Sequence, residues 1–135
     1  QTPVVSVESV SWMNLGEWEA LRAEVHGELE AWRLAWENDP VTFEGHYAAD
    51  FRTETLDLEA WLATRRQFAP GEASVSVRID DLEVFRYDGT TPDLWHIAFR
   101  QRFRRDSFSS DVRKEQVWRR ADSGWEIRYE AIREG

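Results

Sequence analysis

Leu94-Trp95-His96-Ile97-Ala98-Phe99-Arg100-Gln101-Arg102-Phe103-Arg104-Arg105, residues 94–105, decides the fold. Trp95, Ile97, Phe99, Gln101 and Phe103 share one parity, while His96, Arg100, Arg102 and Arg104 share the other. Successive side chains of a strand point to opposite faces, so this stretch predicts a long strand with an apolar face and a cationic one. An apolar sheet face has to be covered, and the cover must come from elsewhere in the chain.

Toward the C-terminus the same period continues from about Asp111 to Ala121 and from Gly124 to about Arg133; upstream, Val75, Val77 and Ile79 alternate with Ser74, Ser76 and Arg78. The polar stretch Asp106 to Ser110 and the turn Asp122-Ser123-Gly124 suit hairpins, so the last three strands are expected to form an antiparallel meander. If the hairpin pairs Phe99 with Trp118, then Gln101 meets Gln116 and Phe103 meets Lys114. The final turn sets Trp118 beside Ile127 and Gln116 beside Tyr129, gathering Trp95, Phe99, Gln101, Trp118, Ile127 and Tyr129 on one inner face. The outer face then carries Arg100, Arg102, Arg104, Arg113, Glu115, Arg119, Glu126, Arg128 and Glu130, a ladder of interleaved charge.

The cover is legible in the first half. From Glu17 to about Asn38, Trp18, Leu21, Val25, Leu29, Trp32 and Trp36 recur at helical spacing. Asn38-Asp39-Pro40 ends that helix, and Pro40 opens a second one through about Ala49, with Phe51 starting a short extended piece. Asp57 suits the N-cap of a third helix bearing Leu58, Trp61, Leu62 and Phe68 and closed by Ala69-Pro70-Gly71. Helices followed by strands make an α+β domain over residues 17–135, with residues 1–16 as a lead-in or linker.

At 135 residues the chain has room for one core, and its eight Trp, seven Phe and three Tyr supply the burial. Seventeen basic against 26 acidic residues give a net charge of -9, which opposes attraction to nucleic acid or to anionic lipid. The absence of Cys excludes disulfides, thiolate zinc sites and a cysteine nucleophile. No apolar run reaches the roughly 20 residues that span a bilayer, so no membrane insertion is expected. The three His residues lie far apart in sequence, and neither a Gly-rich phosphate loop nor a serine nucleophile elbow occurs, so no metal or other cofactor is implied.

The order of three helices, a short strand between the second and third, and four longer strands resembles the nuclear transport factor 2-like superfamily, which includes SnoaL-like proteins. Ala31-Trp32-Arg33-Leu34-Ala35-Trp36-Glu37-Asn38-Asp39 and His46-Tyr47-Ala48-Ala49-Asp50-Phe51 are similar to its Trp-rich first helix and the Tyr and Phe that follow. Trp61 with Arg65, then Phe99-Arg100-Gln101-Arg102-Phe103, Lys114, Trp118 and Trp125-Glu126-Ile127-Arg128-Tyr129-Glu130 resemble the branch found downstream of L,D-transpeptidase domains in bacterial envelope proteins. The resemblance spans roughly residues 20–132. It implies a cystatin-like cone in which three helices pack on a strongly curved antiparallel sheet, and a noncatalytic accessory domain rather than the transpeptidase. The family's Tyr after Gln is Phe103 here, which removes a hydroxyl, and Glu130 matches the closing motif while falling on the expected outer face.

The expected site is a pocket edged by Tyr47, Trp61, Arg65, Phe99, Gln101, Lys114 and Trp118. Aromatic walls would give affinity, with Gln101, Lys114 and Arg65 orienting a polar or anionic group of a small molecule or envelope component. Gln101 and Gln116 would alternatively bond each other within a filled core, and Trp32 and Trp36 would be core or pocket wall. The alternative function is an isomerase, dehydratase or cyclase with Asp50 or His46 as general base. His96 is turned to the face opposite Phe99 and Gln101. A homodimer through the sheet is a third expectation. The resemblance implies a periplasmic or cell-envelope location, with the cytoplasm as the other option.

Overall fold

The computed structural model describes residues 15–67, 74–87, 93–122 and 124–133. The lead-in, Phe68 with the Ala69-Pro70-Gly71 stop, and Ser123 of the final turn lie outside the described residues. Helix α1 (Leu15–Asn38) buries Val25, Leu29, Trp32 and Trp36 of the expected stripe, and Ala35 beside them, while Trp18 and Leu21 are half-buried. Asp39 caps α2 (Pro40–Gly45), its carboxylate accepting from the Thr42 backbone N–H.

The expected continuation of α2 to Ala49 is corrected. Strand β1 (Tyr47–Arg52) begins two residues after Gly45, because Ile127 N–H donates to the His46 carbonyl at 2.7 Å and Tyr47 registers with Ile127. A long-range pairing with Tyr47, Ala48 and Phe51 buried outweighs the local helical option. Helix α3 (Leu58–Arg66) starts where expected, Asp57 accepting from Ala60 N–H at 3.0 Å, and it buries Trp61 and Leu62.

Strands β2 (Val75–Arg86), β3 (Asp93–Arg105), β4 (Phe108–Ala121) and β5 (Gly124–Arg133) complete a five-stranded sheet in the order β1-β5-β4-β3-β2. The last three strands form the expected antiparallel meander, yet the sheet is mixed rather than wholly antiparallel, since β1 joins β5 in parallel.

The expected register between β3 and β4 is corrected too. The turn is the tight pair Asp106-Ser107, with Asp106 in the left-handed region at φ 54°, so Arg105 faces Phe108 and Phe99 meets Lys114 instead of Trp118. That offset of four residues is even, so every side chain keeps its face. Trp118 pairs with Ile127 as expected, but a shift between Val117 and Trp118 opposes Gln116 to Glu130. Tyr129 therefore leaves the inner face for a half-buried position, and Glu130 enters the core from the expected outer ladder.

The helices cover the inner face with rings: Trp18 stacks on Trp95 at 5.5 Å, Trp36 on Phe103 at 5.1 Å, and Trp32 meets Phe99 edge-on at 6.0 Å. Each such pair contributes about 0.5–1.5 kcal/mol beyond its buried area. The outer face is laced by Arg100 to Asp111, Arg102 to Asp80, Arg113 to Glu83 and Arg119 to Glu126. At the β2 edge, α1 supplies partners to the strand backbone: Glu37 accepts from Val77 N–H at 2.8 Å and Arg33 donates to the Val77 carbonyl at 3.1 Å. No helix among the described residues is long and apolar enough to cross a membrane.

Candidate functional site

Alternation along β4 sends Lys114, Gln116 and Trp118 inward, under the helices. There they form a chain of polar contacts. Trp118 Nε1 donates to Gln116 Oε1 at 2.8 Å, Gln116 Nε2 donates to Glu130 Oε1 at 2.7 Å, and Lys114 Nζ lies 3.0 Å from Glu130 Oε2. The last contact is an ion pair. The Lys114 and Glu130 side chains are 1% and 0% exposed.

Aromatic rings surround the ammonium. Lys114 Nζ stands 5.1 Å from the Trp36 ring, 5.5 Å from Trp32 and 5.9 Å from Trp61, distances at which ring faces attract a cation. Burial still pushes the Lys114 pKa below its usual value, with Glu130 opposing that shift and Arg65 adding to it. Trp32 Nε1 donates to the Tyr47 hydroxyl at 3.1 Å. Burial, then the negative charge of Glu130, holds the Tyr47 pKa well above the ordinary 10, so its hydroxyl stays protonated. Arg65 lies over the Trp61 ring at 4.4 Å.

Among the described residues, two buried polar atoms nearby have no hydrogen-bond partner: Trp36 Nε1 and the Gln101 oxygen Oε1. Unmet groups of this kind cost about 1–3 kcal/mol each, so they mark places where a ligand or water would be stabilised.

Of the residues expected to edge a pocket, Tyr47, Trp61, Phe99, Gln101, Lys114 and Trp118 are all buried, and Arg65 is half-buried at the end of α3. Trp61 and Arg65 gather at Lys114, while Phe99 packs on Trp32 and Trp118 connects to the centre through Gln116. Gln116 bonds Trp118 and Glu130 rather than Gln101. Trp32 and Trp36 are core and cage wall at once. Sequence reasoning misplaced Glu130, whose only signal was its match to the closing motif.

The two candidate bases are elsewhere. Asp50 is on the outer side, accepting from Arg119 at 2.9 and 3.1 Å, and those bonds hold its pKa below the ordinary carboxylate value. His46 packs its ring edge-on against Trp118 at 6.2 Å, and burial lowers its pKa. His96 faces outward, 4.0 Å from Glu115.

Residues 24–131 match the family model described as the Cds6 C-terminal NTF2-like domain. Among solved structures, the chain resembles Bd1075 of Bdellovibrio bacteriovorus at 17% identity and TM-score 0.77, covering 91% of this chain and 44% of that one. It also resembles the helical cell shape determining protein Pgp2 from Campylobacter jejuni at 18% identity and TM-score 0.62, over 76% of this chain and 38% of that one. An NTF2-like protein of unknown function from Pseudomonas putida KT2440 aligns at 18% identity and TM-score 0.66, covering 85% of this chain and 87% of its own. The chain thus spans less than half the length of Bd1075 and Pgp2. Among curated proteins none matches. The helical layer over a mixed sheet fits the match over residues 24–131, which covers well over half of the chain, and that match makes the assignment: the chain belongs to the family of Cds6 C-terminal NTF2-like domains.

Proposed function

We propose that this domain is a noncatalytic binding module, an accessory unit of a larger envelope protein, whose helix-covered interior takes a small polar group. The observation that carries the reading is the pair of buried atoms left without a partner among the described residues, Trp36 Nε1 and Gln101 Oε1, on the inner face that holds the Lys114–Glu130 pair. The Trp36 indole N–H and the ammonium donate, while the Gln101 oxygen accepts. An amide or acetamido group answers both needs, offering an oxygen and an N–H, and the rings supply apolar walls. Arg65 adds a guanidinium for an anionic substituent. The likeness to Pgp2, described as determining helical cell shape, supports the envelope setting.

Catalysis is disfavoured by how the charges are spent. Glu130 is bound by Lys114 and Gln116, and Asp50 is bound by Arg119 across the sheet, which leaves no carboxylate base inside among the described residues. One observation favours the isomerase, dehydratase or cyclase alternative: His46 beside Trp118 is kept neutral by burial. Loss of turnover of a ketone panel in His46→Ala would establish that reading.

The test of binding is a titration with N-acetylglucosamine and acetylated amino-acid amides, followed by the indole N–H resonances of Trp36 and Trp61. Saturating shifts that weaken in Gln101→Leu are expected. Unmoved indole signals across the panel, or unchanged affinity in Gln101→Leu, would overturn the proposal.

A further inference from the structure

The inner face does not end at the polar interior. One row beyond Trp95, Trp118 and Ile127, each 0% exposed, Asp93 pairs with Arg120 and Arg120 with Trp125 across β3, β4 and β5. Together with Glu24 of α1 and Asp122 they line a cleft of about 430 Å³, within the size range of small-ligand sites. That buried layer lies between it and Lys114 and Glu130.

Its walls are an aromatic ring and an excess of carboxylate. Glu24, Asp93 and Asp122 are three carboxylates against two guanidinium groups, Arg86 on Asp93 and Arg120 on Glu24, and the chain already seats a cation in the cleft: Arg120 lies 5.9 Å over the Trp125 ring and its Nε donates to Glu24 Oε1 at 3.3 Å. Trp125 Nε1 donates to the same oxygen at 2.8 Å. Arg86 and Trp95 donate to Asp93 Oδ1. No hydrogen bond from the described residues reaches Glu24 Oε2, Asp93 Oδ2 or the Asp122 carboxylate. No group of three or more acidic or His side chains among the described residues is arranged to hold a metal ion, so a small inorganic cation does not match this spacing. A larger cation spreads its charge over several carboxylates and lays its aliphatic part on the indole.

We propose that this cleft is a second binding site, for an organic cation carrying alkylammonium or guanidinium groups, with Arg120 as the internal group that such a ligand joins or displaces. It stands independently of the interior reading.

Cadaverine is the probe, with pentanediol as its neutral isostere and sodium chloride at matched ionic strength as the screening control. The Trp125 indole N–H resonance is expected to shift saturably with cadaverine and to stay put with both controls. Glu24→Gln and Asp122→Asn each weaken the affinity by about threefold, the scale of a part-exposed ion pair. Arg120→Leu tightens it by removing the competing cation. A shift reproduced by sodium chloride or pentanediol, or weaker binding in folded Arg120→Leu, overturns the assignment. Because Asp122 is in an exposed turn, Asp122→Asn keeps the test decisive should Arg120→Leu fail to fold.

Discussion

Lys114 and Glu130 hold a fully buried ion pair, Nζ to Oε2 at 3.0 Å, between neighbouring strands β4 and β5. Desolvating two charges is expensive, and the geometry offsets it with three ring faces about the ammonium and the Gln116 amide on the carboxylate. Removing one partner strands the other. Lys114→Met and Glu130→Leu should each lose stability, about 3–5 kcal/mol for the charge left alone, while the double variant Lys114→Met with Glu130→Leu loses less than the two singles summed. Urea unfolding of the four proteins measures this, and strict additivity would contradict it.

Lys114 and Tyr47 give the pH dependence opposite signs. The folded-state pKa of Lys114 is lowered by burial, so below its ordinary 10.5 the unfolded chain binds the extra proton and stability rises with pH through that window. The Tyr47 pKa is raised by burial, so its contribution is full below 10 and is lost as pH climbs beyond. Denaturation midpoints should rise toward about pH 10 and fall above it; Lys114→Met flattens the rise and Tyr47→Phe the fall.

Tyr47→Phe also removes the acceptor of Trp32 Nε1, a buried N–H with a 0% exposed side chain around it. The expected loss is about 1–3 kcal/mol with the fold retained, read from thermal unfolding and near-ultraviolet circular dichroism. A neutral substitution would mean that another group accepts that proton.

Glu37 and Arg33 close the β2 edge at Val77. Glu37→Ala leaves the Val77 N–H without its acceptor, and its hydrogen exchange should accelerate by at least about tenfold, the equivalent of about 1.4 kcal/mol. Sedimentation should reveal association through the uncovered edge at high concentration. Unchanged protection of Val77 would remove the edge from this account.

The residue pattern alone determined which side chains are inside. Trp95, Ile97, Phe99, Gln101 and Phe103 share the buried face because a period of two is local, and the four-residue error in the hairpin register was harmless because it was even. The helical stripe of Trp32 and Trp36 and the N-cap at Asp57 were equally local.

Two features were decided by the tertiary structure. Glu130 turns inward because the β4–β5 pairing shifts between Val117 and Trp118, and nothing near Glu130 in the chain encodes where its partner strand slips. Tyr47 begins a strand rather than extending a helix because Ile127, remote in sequence, offers it a parallel partner. Parity and propensity act over a few neighbouring residues, whereas a bulge and a parallel pairing are settled by contacts between distant segments, and these are the contacts that brought the acid of the candidate site to its lysine.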